Sequence, residues 1–385
     1  MMAFGFSIGA QILIARRNGE GNYKDIGPVF YQGIYFLLTM AAILFTISRI
    51  FSPHILKSII SSEHIYEAAS SYINWRIYGF FFSFVMVMFR AYFVGTTQTK
   101  TLTLNSIVMV LSNVLFNYIL IFGKFGFPVL GIAGAAIASS ISEAVSVMFF
   151  VIYTWKKVDY KKYGLFRFTR VDFRMLGQIL SVSIWVMIQH GIAFGGWFIF
   201  FIAMEHLGER PLAITNVVRS ISSFLFMFVN AFASTNSSLV SNLIGAGESD
   251  RVLPLCRRMI GLCYAFVLPI GILIAMFPST VLRIYTDNPD LIASSIPSLW
   301  VMLSSYLFAV PGFIYFFSVS GTGNTRRALE IDMASIFVYV LYILYVAVWL
   351  RADVAVCWTT EYVYNIMILS SFFYLWKGNW RNKKI

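Results

Sequence analysis

Apolar runs close to 20 residues long recur down the whole chain, separated by short polar or basic segments. A helix needs about that length to cross a hydrocarbon core roughly 30 Å thick. The pattern predicts an opening helix that ends near Ala15, then spans at about 28–51, 70–94, 101–122, 131–155, 176–205, 211–244, 254–278, 291–320, 326–350 and 354–376. These eleven elements make an all-α polytopic membrane protein.

Polar positions repeat as well. The run around Gly19 and Gly21 returns around Gly245 and Gly247, and GTTQTK at Gly95–Lys100 returns as GTGNTR at Gly321–Arg326. Both pairs share an offset of about 226 residues, so one unit is written twice. The same offset leaves about Gln178–Phe226 without a counterpart ahead of Met1, and the chain is expected to open inside a helix, without the first helix and part of the second. Restoring them would give twelve helices in two six-helix lobes. An even number per repeat gives both lobes the same orientation, the parallel-repeat arrangement of transporters with a substrate site between halves. The expected division is an amino-terminal lobe at 1–155, a basic linker at 156–175 and a carboxy-terminal lobe at 176–385.

Composition agrees with this class: 59% of the 385 residues are hydrophobic and only 12% charged, against about a quarter charged in soluble domains. The net charge of +12 raises nucleic acid as a partner, and its placement excludes it. Twenty basic residues fall in alternate loops: Arg16, Arg17 and Lys24; Lys100; seven between Lys156 and Arg174; Arg251, Arg257 and Arg258; Arg326 and Arg327; then Lys377, Arg381, Lys383 and Lys384. The opposite loops hold six: Arg49, Lys57, Lys124, Arg210, Arg283 and Arg351. That asymmetry marks the first set as cytoplasmic. Cys256, Cys263 and Cys357 show no metal-ligand spacing and read as packing residues. No signal peptide follows Met1, and no Walker sequence follows the glycine turns, which read as tight helix–helix turns. The linker Trp155–Arg174 reads first as a solvated connector, with lipid headgroup contact as the alternative.

The repeated motifs resemble the multidrug and toxic-compound extrusion (MATE) family across nearly the whole chain. The resemblance rests on GAQILIARRNGEG in the opening helix and on the stretch from FVGTTQTK through GIAGAAIASSISE at Phe93–Glu143. In the second half it rests on HLGERPLAITNVVRS, LVSNLIGAGESDR, LRIYTDNPDLI and FSVSGTGNTRRA. It implies a V-shaped antiporter in the cell membrane of a bacterium, acting as a monomer without a cofactor. Such a protein exports amphipathic, usually cationic compounds against an inward flow of protons or sodium ions.

Coupling to an ion gradient needs a group that binds the ion in one state and releases it in another, and acids within spans are the first suspects. Glu143 lies half-way into its span, and Glu361 holds the matching place in the second half. On this reading Glu143→Gln should abolish gradient-driven efflux. Glu330 and Asp332 sit early in the 326–350 span, where pairing with Arg326 or Arg327 is the alternative. Arg219, within a span, needs an anion or carbonyl, and a pair with a glutamate is expected. Asn113 and Asn117 lie one turn apart on one helix face. In the DinF-like branch the second of these would be aspartate, and an acid would stand in the first helix. The NorM-like branch has a glutamate in the seventh helix and an aspartate in the tenth. Here the seventh offers Gln189 and His190, and the tenth has no acid, so the coupling ion stays open between proton and sodium. His190 titrates near physiological pH when unperturbed. Pro311 with Gly312 and Pro269 with Gly271 mark places where helices could break. The competing functions are a lipid-linked precursor flippase with a strongly cationic cavity, a membrane enzyme with a clustered polar site, and an inactive truncated product. Four scattered histidines argue against the enzyme.

Overall fold

The computed structural model describes residues 2–60, 62–167 and 169–381. Met1, Lys383 and Lys384 lie outside the described residues. Fifteen α-helices follow in order: α1 Met2–Gly19, α2 Ile26–Ile59, α3 Glu63–Arg76, α4 Gly79–Gly95, α5 Lys100–Phe122, α6 Gly131–Lys157, α7 Phe173–Leu207, α8 Glu209–Gly245, α9 Val252–Met276, α10 Pro278–Leu282, α11 Pro289–Gly321, α12 Thr325–Ile343, α13 Val354–Cys357, α14 Thr360–Leu369 and α15 Ser371–Lys377.

Eight of the described helical stretches are long and apolar enough to cross a membrane, and α3 with α4 makes a ninth, bent by 49° at its break. The protein is therefore a multi-pass membrane protein. The expected span at 354–376 is instead three short helices. Thr359 and Thr360 donate their hydroxyls to the carbonyls of Val356 and Cys357, at 2.5 and 2.6 Å. Such local bonds offer the backbone an alternative to a regular helix. Just before them, α12 widens into a π-helix over Leu344–Trp349. Pro269 and Pro311 do not break their helices: α9 and α11 run through both prolines. A helix buried among neighbours tolerates the one lost hydrogen bond.

The chain divides into two compact units, Met1–Ile12 with Ser181–Ile385, and Leu13–Leu180. The first turns of α1 thus group with the second half, although the repeat assigned them to the first. The cause is small residues. A Cβ on Gly9 would stand 2.1 Å from Ser183 Oγ and 2.6 Å from Ser183 Cα, so only glycine lets α7 come this close. Ser183 then donates to the Phe6 carbonyl at 3.0 Å, Gln11 to Ser238 Oγ at 2.8 Å and Ser241 to the Ile12 carbonyl at 2.8 Å. Interhelical polar bonds of this kind hold helices together where lipid removes the hydrophobic drive.

In the same unit α8 packs on α11 through Asn236, whose amide donates to Ser318 Oγ at 2.7 Å beside Cys256. All three cysteines are buried and free. In the other unit α5 pairs with α6, and a ring cluster of Phe30, Phe89, Phe93 and Phe150 fills the space between α2, α4 and α6.

The two repeats build the same turn. After α1, Asn22 N–H bonds to the Arg17 carbonyl and Gly21 N–H to Asn18. After α8, Glu248 N–H bonds to Leu243 and Gly247 N–H to Ile244. Gly21 and Gly247 take left-handed φ values of 74° and 78°, the glycine-terminated helix cap. The turns after α4 and α11 also correspond, but there Thr97 stands at φ 61° where the second copy has Gly323 at φ 85°.

Candidate functional site

Within the unit formed by Met1–Ile12 and Ser181–Ile385, α7, α8, α11, α12 and α14 surround a cavity of about 590 Å³. Aromatic rings form much of the wall, among them Trp197, Phe226, Phe313 and Tyr306. Two carboxylates face it, Asp332 from α12 and Glu361 from α14. Among the described lining residues there is no lysine or arginine.

Helical spacing explains the arrangement. Asp332, Ile336 and Tyr339 recur on one face of α12, while Glu361, Tyr364 and Asn365 do so on α14. Asp332 is only 1% exposed and accepts a 2.9 Å hydrogen bond from the Tyr364 hydroxyl. Tyr306 donates to the Ser222 carbonyl at 2.7 Å, which fixes its ring at the wall. Four more polar atoms are buried here without a hydrogen-bond partner: Gln189 Oε1, His190 Nε2, the Tyr339 hydroxyl and Asn365 Oδ1. The His190 ring lies 5.6 Å from that of Phe4. Buried polar atoms left open are costly in a folded protein unless something binds them. Carboxylate and amide oxygens together suit a hard cation, and the rings suit an organic one.

The other unit is arranged differently. Glu143 on α6 is held by Arg76, with Nη1–Oε2 at 2.9 Å and Nη2–Oε1 at 2.7 Å, a bidentate pair at the α3–α4 bend. Gly79 makes room for it: a Cβ there would stand 2.0 Å from Arg76 Nη1 and 2.5 Å from Glu143 Oε2. Asn117 donates to Asn113 at 2.9 Å, Asn113 to Ser142 at 3.3 Å, and Asn105 and Ser146 bond reciprocally at 2.8 and 3.0 Å. The polar groups between α5 and α6 therefore largely satisfy one another.

A family model described as MatE matches residues 1–119 and 186–348. The chain belongs to the MatE family. MatE proteins are membrane transporters, not enzymes. A probable multidrug resistance protein NorM of Thermotoga maritima is 26% identical over 346 residues, covering 89% of this chain and 73% of that protein. A probable multidrug resistance protein YoeA of Bacillus subtilis is 25% identical over 79% of this chain and 66% of its own length. A third relative, NorM of Synechocystis, is 27% identical, and the chain spans 63% of its length. Among solved structures, an outward-facing multidrug resistance MATE family transporter superposes with a TM-score of 0.89 at 16% identity, over 98% of this chain and 84% of that one. The eukaryotic MATE transporter AtDTX14 gives 0.84 at 17% identity, over 99% and 84%. At that identity these likenesses show a shared fold.

Against the MatE frame, the eight residues singled out by sequence fall in separate places. Gln189, His190, Asp332 and Glu361 meet in one cavity. Glu143, Asn113 and Asn117 belong to the other unit. Arg219 does not pair with a glutamate: its guanidinium lies 4.5 Å over the Phe201 ring and its side chain is exposed. Glu330 takes the contacts offered by Arg326 and Arg327, at 3.4 and 2.6 Å, and leaves Asp332 to face inward. Tyr306, Tyr339, Tyr364 and Asn365 were missed. The spacing of Tyr364 and Asn365 three and four residues after Glu361 was the available signal.

Proposed function

We propose that this MatE protein is a secondary antiporter that exports amphipathic, cationic compounds in exchange for sodium ions or protons. Its coupling and binding acids are Asp332 and Glu361. The observation that supports this reading is the charge of the cavity: two carboxylates, aromatic walls, and no lysine or arginine among its described lining residues. A lipid-linked precursor is an anion and would need the opposite lining, which disfavours the flippase. Glu143 already has its counter-charge in Arg76, which supports a structural role for it over a coupling one.

The cavity favours a cation over a neutral solute because a charge removed from water needs an opposite charge nearby. Ion and substrate would compete for the same two carboxylates. An inward ion gradient would then drive the substrate off, the thermodynamic basis of exchange. The test is efflux of a cationic dye from proteoliposomes under an imposed sodium gradient, a proton gradient or neither. Gradient-driven efflux should be lost in Asp332→Asn and in Glu361→Gln at normal expression. Efflux by both variants at the parent rate would overturn the site, and no efflux by the parent under either gradient would overturn the antiporter.

A further inference from the structure

The segment between α6 and α7 differs in construction from a flexible connector. Lys156, Lys157, Lys161, Arg167, Arg170 and Arg174 are all exposed, and none forms a salt bridge among the described residues. The two acids of the segment are engaged by backbone. Asp159 accepts from Lys162 N–H at 3.1 Å, and Asp172 caps α7 by accepting from Arg174 and Met175 N–H at 2.9 and 3.2 Å.

The backbone carrying these charges is fastened to α2. Gln32, 1% exposed, donates to the Arg170 carbonyl at 2.7 Å and accepts from Asp172 N–H at 3.1 Å. Tyr35 donates to the Thr169 carbonyl at 3.0 Å, and the Tyr31 hydroxyl accepts from Phe166 N–H at 2.8 Å. Gly27 lets the segment lie flush, since a Cβ there would be 2.4 Å from the Gly164 carbonyl oxygen. Phe166 is held at φ 60°, a left-handed conformation that a non-glycine residue keeps only when its surroundings impose it. Apolar side chains stand out beside the charges: Trp155 is 61% exposed at the end of α6, and Phe173 is 79% exposed at the start of α7. Both stand at ends of helices of membrane-spanning length, the position that interfacial aromatic residues take.

We propose that the 156–174 segment is a docking site for the anionic headgroups of the leaflet it adjoins. Basic side chains beside an anionic leaflet attract it, and arginine matches phosphate oxygens in pairs. Holding the backbone in place beforehand removes much of the ordering cost of binding. The exposed rings enter the interface alongside. The occupant is a lipid, because charge and apolar surface are presented together at the membrane face; a soluble anion would have no use for Trp155 and Phe173.

The test titrates the purified full chain in detergent with phosphatidylglycerol or phosphatidylcholine, and reads bound lipid by native mass spectrometry. Changing Lys156, Lys157, Lys161, Arg167, Arg170 and Arg174 to Gln should weaken phosphatidylglycerol binding at least about tenfold, with phosphatidylcholine unaffected. The control removes as many charges elsewhere on the basic side, at Arg251, Arg257, Arg258, Arg326, Arg327 and Lys377, and should leave binding within about twofold. Equal loss in both would reduce the effect to general surface charge and overturn the proposal. Displacement of the lipid by inorganic phosphate at equal concentration would overturn it too, by making the site one for a free anion. Gln32→Leu keeps every charge and releases the backbone. If it folds, it should bind several-fold more weakly, and unchanged binding would overturn the role of the fastening. If it does not fold, the six-residue variant and its control decide.

Discussion

Tyr364 on α14 donates its hydroxyl to Asp332 on α12 at 2.9 Å, one helical turn beyond Glu361. The Tyr364 phenol is thus anchored to one carboxylate of the cavity from a position one turn along α14 from the other. Tyr364→Phe keeps the ring and deletes a hydrogen bond to a charged group, worth about 1.5–3 kcal/mol. The fold should survive, because the ring still packs against Tyr339 and Phe313. Ion dependence of efflux should shift about tenfold. An unchanged ion dependence would separate Tyr364 from the coupling acids.

Asp332 and Glu361 are expected to act as one unit. If both contact the same cation, Asp332→Asn and Glu361→Gln will each remove most of the transport. The double variant will then be little worse than either alone, the non-additivity of coupled residues. Binding of a fluorescent cation to the purified single and double variants checks this. Strictly additive losses would place the acids in separate sites.

Glu143→Gln should act on stability more than on transport. It removes the charge that Arg76 faces in a part-buried site. The loss is about 2 kcal/mol, at the lower end for such pairs because Arg76 keeps 30% of its side chain exposed. Gly79→Ala should have a similar effect with both charges present, by pushing Arg76 off Glu143. Thermal unfolding in detergent, with efflux normalised to folded protein, tests both. Normal stability with lost transport in Glu143→Gln would return that residue to the coupling machinery.

Thr97→Gly should stabilise the turn after α4. A β-branched residue in the left-handed region is strained by about 1–2 kcal/mol, offset in part by the extra freedom glycine gives the unfolded chain. The threonine is exposed and its hydroxyl reaches only the adjacent Thr96 carbonyl. A net rise in unfolding midpoint of about half a degree, on the order expected for ~0.5 kcal/mol in a chain of this length, is the expected result, and a fall would show that the threonine serves a purpose there.

Span positions were legible because lipid imposes a length and an apolar composition on any helix that crosses it. The glycine turns were legible because few other residues adopt their conformation. Asn113 and Asn117 could be paired on sight, being four residues apart on one helix. Arg76 could not be matched to Glu143, since 67 residues separate them and only the α3–α4 bend brings them together. The cavity was half legible. The acids and Gln189-His190 stood out against apolar surroundings, but α7, α8 and α11 are apolar toward both lipid and cavity. Which of their rings line it is therefore a matter of helix rotation, which periodicity cannot report. In the last span an apolar average conceals the interruptions at Trp358–Thr359 and Ser370, where Thr359 and Thr360 bond to the carbonyls of the preceding turn.

The matched turns at Gly21 and Gly247 give this molecule an internal standard. At both, a Cβ would meet no atom within 4 Å, so alanine brings the same left-handed backbone penalty, about 1 kcal/mol, and no local clash. Two variants of one polypeptide then become replicate measurements of a single perturbation, made in two settings. Any difference between Gly21→Ala and Gly247→Ala reports how far the duplicated halves have come to differ in their tolerance of the same strain.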